Sequence, residues 1–325
     1  MDDPKVVTVT LNPSLDRTLM IHYLAVGYHN RTTGTTRLDP AGRGVNISRA
    51  LHALGGRTHA VIMLGDDATA RAYQALIEKE AFPVTAIRRS GLTRSNIVIL
   101  DTGTQAETYL IEESVGATPE SLQAVADALR GIVRPGDIVV YAGSLPNDAP
   151  DETYARLINM ARQGGAFAVL DTPGDVAGKA LEAAPDLVVL KQNEAEGLFN
   201  HPVRTRQDAI YCGRRLLERR IEQVLITVGS DGGAILVTEE NIWQADFPEL
   251  EIGTRSGVKE AMVAGYLAGQ LKRRSPAEAL KLGAAAAAYT ASQVGSNFGS
   301  LAEVEELMEQ VNVQQVEDES AGVNR

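Results

Sequence analysis

Short apolar runs separated by helical stretches are the feature that most constrains how this chain folds. The runs are KVVTVTL (5–11), HAVIML (59–64), DIVVYA (137–142), FAVLD (167–171), LVVL (187–190) and QVLIT (223–227). Residues that are apolar at consecutive positions suit strands buried on both faces, and helices between such strands imply right-handed crossovers. The pattern therefore predicts a mostly parallel sheet covered by helices on both sides, with ligands bound at the carboxyl ends of the strands.

Two segments depart from this alternation. Residues 18–24 and the Thr-rich 31–38 are strand-like with no helix between them, and residues 95–113 are typical of two strands joined by a D-T-G-T turn. These four strands indicate a small separate sheet, either a flap over the main sheet or a partner-binding surface. Because two distant parts of the chain contribute them, they favour a lid over a second domain. The polar residues after about Val311 predict a disordered tail.

Composition and charge narrow the class of partner. The 325 residues are 44% hydrophobic and 22% charged, with a net charge of −11, and we find no basic run that would neutralise the phosphates of a nucleic acid. Nucleic acid and anionic membrane surfaces are therefore not expected as partners. The acidic N-terminus, and apolar runs far shorter than the roughly 20 residues of a membrane span, predict a cytoplasmic protein. Cys212 is the single cysteine, which excludes an intrachain disulfide and a thiolate metal cluster.

Two glycine-bearing turns are candidate ligand sites. In GRGVNI (42–47), Gly42 and Gly44 precede a helix, and glycine lets a backbone approach a ligand closely, although a plain turn explains them as well. The Asp-Pro step at 39–40 stands where a dinucleotide-binding strand would run into the turn, which argues against a nicotinamide cofactor. In GTRSGVKEAMVAG (253–265), a turn enters a small-residue helix, an arrangement that opens a helix N-terminus to an anion.

A resemblance becomes specific when eight motifs are taken in order. They are TLNPSLDRT (10–18), AGRGVNISRAL (41–51), TRSN (93–96), AGSLP (142–146), DTPG (171–174), KQNEAE (191–196), TVGSDGGAILV (227–237) and GVKEAMVAG (257–265). In these motifs the chain resembles the ribokinase-like (PfkB) carbohydrate kinases, and within them the branch of 1-phosphofructokinase and tagatose-6-phosphate kinase. The resemblance covers about residues 5–297. It implies a three-layer α/β/α sandwich with a mostly parallel central sheet and a small β-sheet lid.

The resemblance also implies domain boundaries and a substrate site. The boundaries are 1–16, 39–92 and 114–311 for the nucleotide- and sugar-binding domain, 17–38 and 93–113 for the lid, and 312–325 for the tail. The substrate-binding residues are Asp16, Gly42, Arg43, Gly44, Asn46, Arg94 and Ser144. Asp16 would grip sugar hydroxyls, since a carboxylate accepts two hydrogen bonds in a fixed direction, and Arg94 would pair with a phosphate. The alternatives are a turn-capping Asp16 and a merely solvated Arg94 on an edge strand.

The family uses ATP and Mg2+, so a nucleotide side is implied as well. Its residues are Lys191, Asn193, Thr227, Gly229 and Gly232, with Glu196 as the residue that serves the metal. Asn193 and Glu196 stand at i and i+3 and share one face of a helix start, where the family organises the water ligands of magnesium. An ordinary helix cap explains Asn193 equally well.

The largest departure from the family concerns its G-A-G-D pattern, which is Gly257, Val258, Lys259 and Glu260 in this chain. In the family, free amides stabilise the transferring phosphoryl group and the aspartate removes the hydroxyl proton. Glu260 places its carboxylate about one C–C bond further out, and a shift near 1 Å can cost on the order of 100-fold in rate. Lys259 replaces a glycine where backbone meets phosphate, and a left-handed conformation there would cost roughly 1–2 kcal/mol. Its ammonium could bind phosphate, or it could pair with Glu260 and disable the base.

The sequence leaves two functions open. The first is an ATP-dependent kinase of a sugar or phosphosugar hydroxyl, with Glu260 as the base and Gly257 and Lys259 beside the transferred phosphate. The second is a catalytically impaired kinase homologue that binds a sugar or nucleotide as a sensor or partner subunit. Residues 66–68 (DDA) replace glycines that the family has near the acceptor, so the choice of a fructose-1-phosphate or tagatose-6-phosphate type of acceptor is left open. The resemblance also allows a homodimer that pairs through the lid.

Overall fold

The computed structural model describes residues 3–34, 36–113, 116–228, 233–248, 250–251 and 253–318 of the 325-residue chain. Its strands are β1 (Val6–Thr10), β2 (Ser14–Ile21), β3 (Arg37–Ala41), β4 (Thr58–Leu64), β5 (Val84–Arg88), β6 (Arg94–Asp101), β7 (Ala106–Ile111), β8 (Ile138–Ala142), β9 (Phe167–Asp171), β10 (Leu187–Lys191), β11 (Gln223–Val228), β12 (Gly233–Thr238), β13 (Ile242–Asp246) and β14 (Asn312–Gln315). Its helices are α1 (Arg43–Ala53), α2 (Ala68–Ile77), α3 (Pro119–Ile132), α4 (Thr153–Gln163), α5 (Asp175–Ala180), α6 (Gln192–Phe199), α7 (Arg206–Leu217), α8 (Val258–Leu271), α9 (Pro276–Ala291) and α10 (Leu301–Met308).

All six apolar runs of the sequence become strands of one central sheet. Within the described residues its order is β14-β13-β12-β11-β10-β9-β8-β1-β4-β5. In this spatial order, every pair of neighbours between β11 and the β5 edge is parallel. At the other edge, β12, β13 and β14 extend the sheet with antiparallel pairs. The parallel strands therefore end at a common edge, where ligands are expected. The mostly parallel α/β fold predicted from the sequence is confirmed.

The strands are buried on both faces because two separate hydrophobic clusters cover the sheet. Val7 and Tyr141 belong to the cluster that includes the inner faces of α3, α4 and α7. Val6 and Val140, their neighbours along the same strands, belong to the cluster under α1, α8 and α9. Consecutive apolar residues thus serve opposite faces, which is why the sequence shows runs rather than alternation. We detect no helix among the described residues that is long and apolar enough to cross a membrane.

The lid is a separate four-stranded sheet, as predicted, with the order β3-β2-β6-β7. β2 pairs with β6 in parallel, so that Asp16 stands beside Asn96. The strand expected at 31–38 instead spans Arg37–Ala41 and runs directly into the turn before α1. Pro40 is tolerated there because β3 lies at an edge of the sheet, where a missing N–H breaks no ladder.

The chain end differs from the expectation of disorder. Asn312–Gln315 form β14 and pair with β13 in an antiparallel register. Val311 is buried and Val313 packs against the hydrophobic cluster under α9. These two valines anchor an otherwise polar segment, and composition alone therefore misled the prediction for residues 312–315. The last residues of the predicted tail lie outside the described ranges.

Candidate active site

Strand ends at the carboxyl edge of the sheet link two of the predicted site residues, Ser144 and Lys259, through a chain of contacts. Asn12, just beyond β1, donates from Nδ2 to Ser144 Oγ at 2.9 Å, which joins the ends of β1 and β8. Gly143 N donates to Asp171 O at 2.9 Å and joins β8 to β9. Lys259, at the start of α8, reaches the same Asp171. One continuous site therefore connects the predicted acceptor side with the altered catalytic motif.

The start of α8 has the open geometry expected for an anion. Gly257 is its N-cap and takes a left-handed conformation with φ 80°, and no side chain caps the helix. Ala261 N donates to Gly257 O at 2.9 Å as the first intrahelical bond, which leaves the amides of Val258, Lys259 and Glu260 unused by the described residues. Lys259 is absent from the residues with positive φ. The strain considered for Lys259 from the sequence therefore does not arise, since within residues 257–260, all of them described, only Gly257 is left-handed.

The ammonium of Lys259 is buried in a network of four charges. It forms an ion pair with Asp171 and lies 3.6 Å from Glu194 Oε2. Arg43 bridges the same two carboxylates, at 2.9 Å to Asp171 and 2.6 Å to Glu194. The Lys259 side chain is 3% exposed and that of Asp171 is fully buried. The pairing with Glu260 that the sequence allowed is therefore not formed, because Lys259 is engaged by other carboxylates.

The network shifts the ionisation of its members. Burial alone would raise the pKa of the Glu194 carboxyl, but Lys259 and Arg43 outweigh it and lower that pKa to about 2. Burial alone would also lower the pKa of the Arg43 guanidinium. Asp171 and Glu194 reverse that effect and raise the pKa, and Glu260 adds to the rise. Glu194 and Arg43 are consequently charged near neutral pH. Sequence reasoning quoted the motifs that contain Asp171 and Glu194 but gave neither residue a role.

Glu260 lies in the first turn of α8. Glu260 is 8% exposed, and no hydrogen bond or ion pair to its carboxylate is found among the described residues. Partial burial and a hydrogen bond to Glu107 raise the pKa of the Tyr109 hydroxyl, which sits on lid strand β7. The carboxylates of Asp16 and Glu260 raise it further. Asp16 and Glu260 therefore both lie within electrostatic range of one lid side chain.

The acceptor side of the site is built on the lid strands. Asp16 Oδ1 accepts hydrogen bonds from Ser14 Oγ at 2.7 Å and from Asn96 Nδ2 at 2.9 Å. Burial raises the pKa of Asp16, although these bonds and the charge of Arg94 oppose the rise. Arg94 donates to the carbonyl oxygen of Asn12 at 3.3 and 3.0 Å. Asn96 was missed in the sequence because its role depends on the β2–β6 register.

Gly42, the N-cap of α1, and Gly44, in its first turn, have different reasons to be glycine. Gly42 has φ 140°, and a Cβ there would lie 2.7 Å from Thr10 Cγ2. A Cβ on Gly44 would lie 2.5 Å from Thr10 Oγ1, so close packing of α1 on β1 accounts for this residue. Asn46 is 7% exposed, and its Oδ1 is buried without a partner among the described atoms. A buried amide oxygen of this kind has capacity left for a ligand hydroxyl.

The predicted nucleotide side lies at the ends of β10 and β11. Lys191 ends β10 beside Thr227 of β11 and is exposed, as is Asn193 in the first turn of α6. Glu196 Oε1 accepts a hydrogen bond from Val203 N at 3.0 Å. The roles of these four residues towards a nucleotide stay predictions. Gly229 and Gly232 lie outside the described residues.

Contacts within the chain hold the lid against the central domain. Glu107 accepts hydrogen bonds from Thr254 Oγ1 at 2.6 Å and from Arg255 N at 3.3 Å. Arg37 donates to the carbonyl oxygens of Val294 and Ser296, each at 3.1 Å. The lid therefore covers the start of α8 by contacts from two of its four strands.

A three-layer α/β/α domain whose β lid closes over an open helix start defines the ribokinase-like class of sugar kinases. The comparison with protein families agrees, because the model of the pfkB family carbohydrate kinases matches residues 9–303. The chain belongs to this family. It is a carbohydrate kinase, with ATP-dependent phosphoryl transfer to a hydroxyl of a sugar or phosphosugar as its activity.

Individual relatives share most of their length with this chain. It is 30% identical over 308 residues to a 1-phosphofructokinase of Bacillus subtilis, covering 95% of this chain and 99% of the relative. It is 32% identical over 269 residues to a 1-phosphofructokinase of Xanthomonas campestris pv. campestris, covering 82% and 84% of the two chains. The crystal structure of phosphofructokinase-2 from Escherichia coli superposes with a TM-score of 0.87 over 94% of this chain and 98% of that one, at 23% identity. That structural likeness shows a shared fold.

Proposed function

We propose that the protein transfers the terminal phosphoryl group of ATP to a primary hydroxyl of a phosphosugar, of the fructose-1-phosphate or tagatose-6-phosphate type. One observation carries the proposal: Asp16 and Ser256, the residue directly before Gly257, line one cavity between the lid and the start of α8. A group that holds the acceptor and a group that removes its proton must face one space, and the common electrostatic influence of Asp16 and Glu260 on Tyr109 supports such a placement. The two 1-phosphofructokinases at 30% and 32% identity support an acceptor of the same chemical type.

Glu260 is the base in this proposal. It is nearly buried and has no recorded partner among the described residues, so its carboxylate is free to accept the proton of an incoming hydroxyl. The engagement of Lys259 by Asp171 supports this role, because the nearest cation of the same helix does not neutralise Glu260. The open amides that follow Gly257 would stabilise the negative charge of the phosphoryl group as it moves.

Asp16 and Asn46 hold the acceptor. Asp16 is oriented by Asn96, and a fixed carboxylate directs two sugar hydroxyls. Asn46 offers an unpartnered amide oxygen from the start of α1. Arg94 is tethered by the carbonyl of Asn12, and its positive charge suits the phosphate of the acceptor.

Magnesium would enter with the nucleotide. We find no three acidic, histidine or cysteine side chains among the described residues that converge to hold a metal ion. Asn193 and Glu196 suit contacts to the water shell of an ion carried by ATP, and Lys191 and Thr227 lie beside them to meet the phosphates. The ion supplies charge neutralisation of the triphosphate when bound, and the protein residues orient the nucleotide.

An assay with purified protein tests the proposal. ATP consumption is measured with fructose 1-phosphate, tagatose 6-phosphate, fructose 6-phosphate and fructose. We expect turnover with a phosphosugar, a loss of at least 100-fold in kcat for Glu260→Gln, and a raised KM for Asp16→Asn. Glu306→Gln, an exposed glutamate on α10, is the matched control. No turnover with any acceptor, together with a rise in Tm on adding ATP or sugar, would instead identify a binding protein.

A homodimer through the lid is a further part of the proposal. The edge strand β7 exposes Leu110 and Ile111, with 53% and 66% of their surfaces accessible, and an exposed apolar edge favours pairing with a second copy. Light scattering after gel filtration tests it. A dimer that Ile111→Asp converts to a monomer is expected, and a wild-type monomer at micromolar concentration would refute it.

A further inference from the structure

We propose that the ammonium of Lys259 is a built-in cation that occupies a divalent-cation site formed by Asp171 and Glu194. The two carboxylates belong to different elements, since Asp171 ends β9 and Glu194 lies in the first turn of α6. Both carboxylates meet at the ammonium of Lys259, which belongs to the first turn of α8. Converging carboxylates are the ligands that hard cations such as Mg2+ and Mn2+ prefer.

An unused oxygen at this point is a second, independent observation. Asp171 is fully buried, and its Oδ2 has no hydrogen-bond partner within the described part of the chain. Lys259 and Arg43 both bind the other oxygen, Oδ1. Leaving a buried carboxylate oxygen unpaired is costly, and a divalent ion or its bound water would use it. The pair of carboxylates therefore has more capacity for a cation than the ammonium takes up.

Charge balance explains why no metal ion is needed while Lys259 is present. Arg43 and Lys259 carry two positive charges, and Asp171 and Glu194 carry two negative ones. A divalent ion would add two positive charges beside two fixed cations and would displace one of them from its partner. Without Lys259, the remaining three groups carry a net negative charge, and the site then attracts an ion.

The inference goes beyond the proposed function, because it concerns a cation of the protein and not the ion carried by ATP. Lys259 places a covalently attached ammonium group next to the open helix start. A nucleotide therefore meets a cation there that cannot be removed by a chelator.

Binding of Mn2+ to the full chain, without nucleotide or sugar, tests the inference. Titration is followed by the electron paramagnetic resonance signal of free Mn2+ and by calorimetry. We expect Lys259→Ala to bind one more ion per chain than wild type, at least tenfold more tightly than wild type binds any ion at this position. Lys259→Arg, which keeps the cation, and Lys191→Ala, which removes an exposed lysine at the same sheet edge, should gain none. Adding Glu194→Gln to Lys259→Ala should abolish the gain.

Three results would overturn the inference. They are an equal number of ions in wild type and Lys259→Ala, a gain that survives Glu194→Gln, and a gain of the same size in Lys191→Ala. If Lys259→Ala fails to fold in metal-free buffer, the proposal expects MnCl2 to restore its fold, and a folded Lys259→Gln that binds no extra ion refutes it. Because the readout contains no ATP or acceptor, its failure and the failure of the kinase proposal can be told apart.

Discussion

Replacing Lys259 with methionine should destabilise the protein far more than any surface lysine would. The change keeps most of the side-chain volume but leaves Asp171 fully buried with only Arg43 as its charged partner. Removing one member of a buried ion pair typically costs about 3–5 kcal/mol, because the other charge stays buried and loses its compensation. A folded protein is stable by only about 5–15 kcal/mol in all, so the loss is a large share of the total.

Urea denaturation and thermal denaturation, each followed by circular dichroism, measure the effect. For a large domain, each kcal/mol shifts the Tm by about 2–4 °C, so a fall of roughly 6–20 °C is expected. Lys272→Met is the matched control, since Lys272 is exposed at the C-terminal end of the same helix. A second substitution, Asp171→Asn, restores the charge balance between Arg43 and Glu194 and should recover part of the loss.

Two outcomes would refute this reasoning. If Lys259→Met unfolds at the same urea concentration as Lys272→Met, the ammonium does not compensate a buried carboxylate. If the double variant Lys259→Met/Asp171→Asn is no more stable than Lys259→Met, the cost arises from packing and not from charge. Divalent ions must be absent from the buffer, because an ion bound in place of Lys259 would mask the loss.

Three further predictions concern the same region. Gly257→Ala should lower stability by about 1–2 kcal/mol in urea denaturation, because its φ of 80° is left-handed and a Cβ would press on Ser296 Oγ at 3.1 Å. The pKa of Glu194 is lowered to about 2 from 4.5, which should contribute about 3 kcal/mol to the free energy of unfolding. This contribution is fully present above pH 4.5. It is lost as the pH falls towards 2, because the unfolded chain takes up the proton first. Urea denaturation at pH 6, 4 and 3 checks this, and Glu194→Gln should flatten the profile. The proposed function takes Glu260 as the base at its present reach, so Glu260→Asp should lower kcat by about 10–100-fold with little change in KM, because its carboxylate is withdrawn by about 1 Å. An unchanged kcat would contradict Glu260 as the base.

The central sheet was predictable because its signal is local. Each of the six apolar runs carries its own evidence for a buried strand, and the helices between them imply parallel order. The lid was predictable for the same reason, since its strands lack intervening helices. By contrast, β12 and β13 follow the parallel strands as an antiparallel extension, and nothing in the periodicity of a short strand gives its direction.

The charge network was not predictable, because its members are joined only by the fold. Asp171 and Lys259 are 88 positions apart, and Arg43 and Glu194 are 151 positions apart. Pairing them requires knowing which strand ends are neighbours and how far the side chains reach. From the sequence, Glu260 was the nearest acid to Lys259, and that neighbour in the chain proved to be the wrong partner.

The position of Lys259 is unfavourable by local rules, which shows how strongly its partners act. A cation in the first turn of a helix opposes the helix dipole, at a cost of about 0.3–1 kcal/mol. Two buried carboxylates offset this cost, and by holding Lys259 they leave Glu260 of the same turn without a recorded partner among the described residues. The substitutions at the altered motif therefore have to be judged together with Glu194 and Arg43. Restoring glycine at Lys259 alone would leave Asp171, Glu194 and Glu260 opposed only by Arg43, and the excess negative charge would repel the phosphates that the open amides are placed to receive.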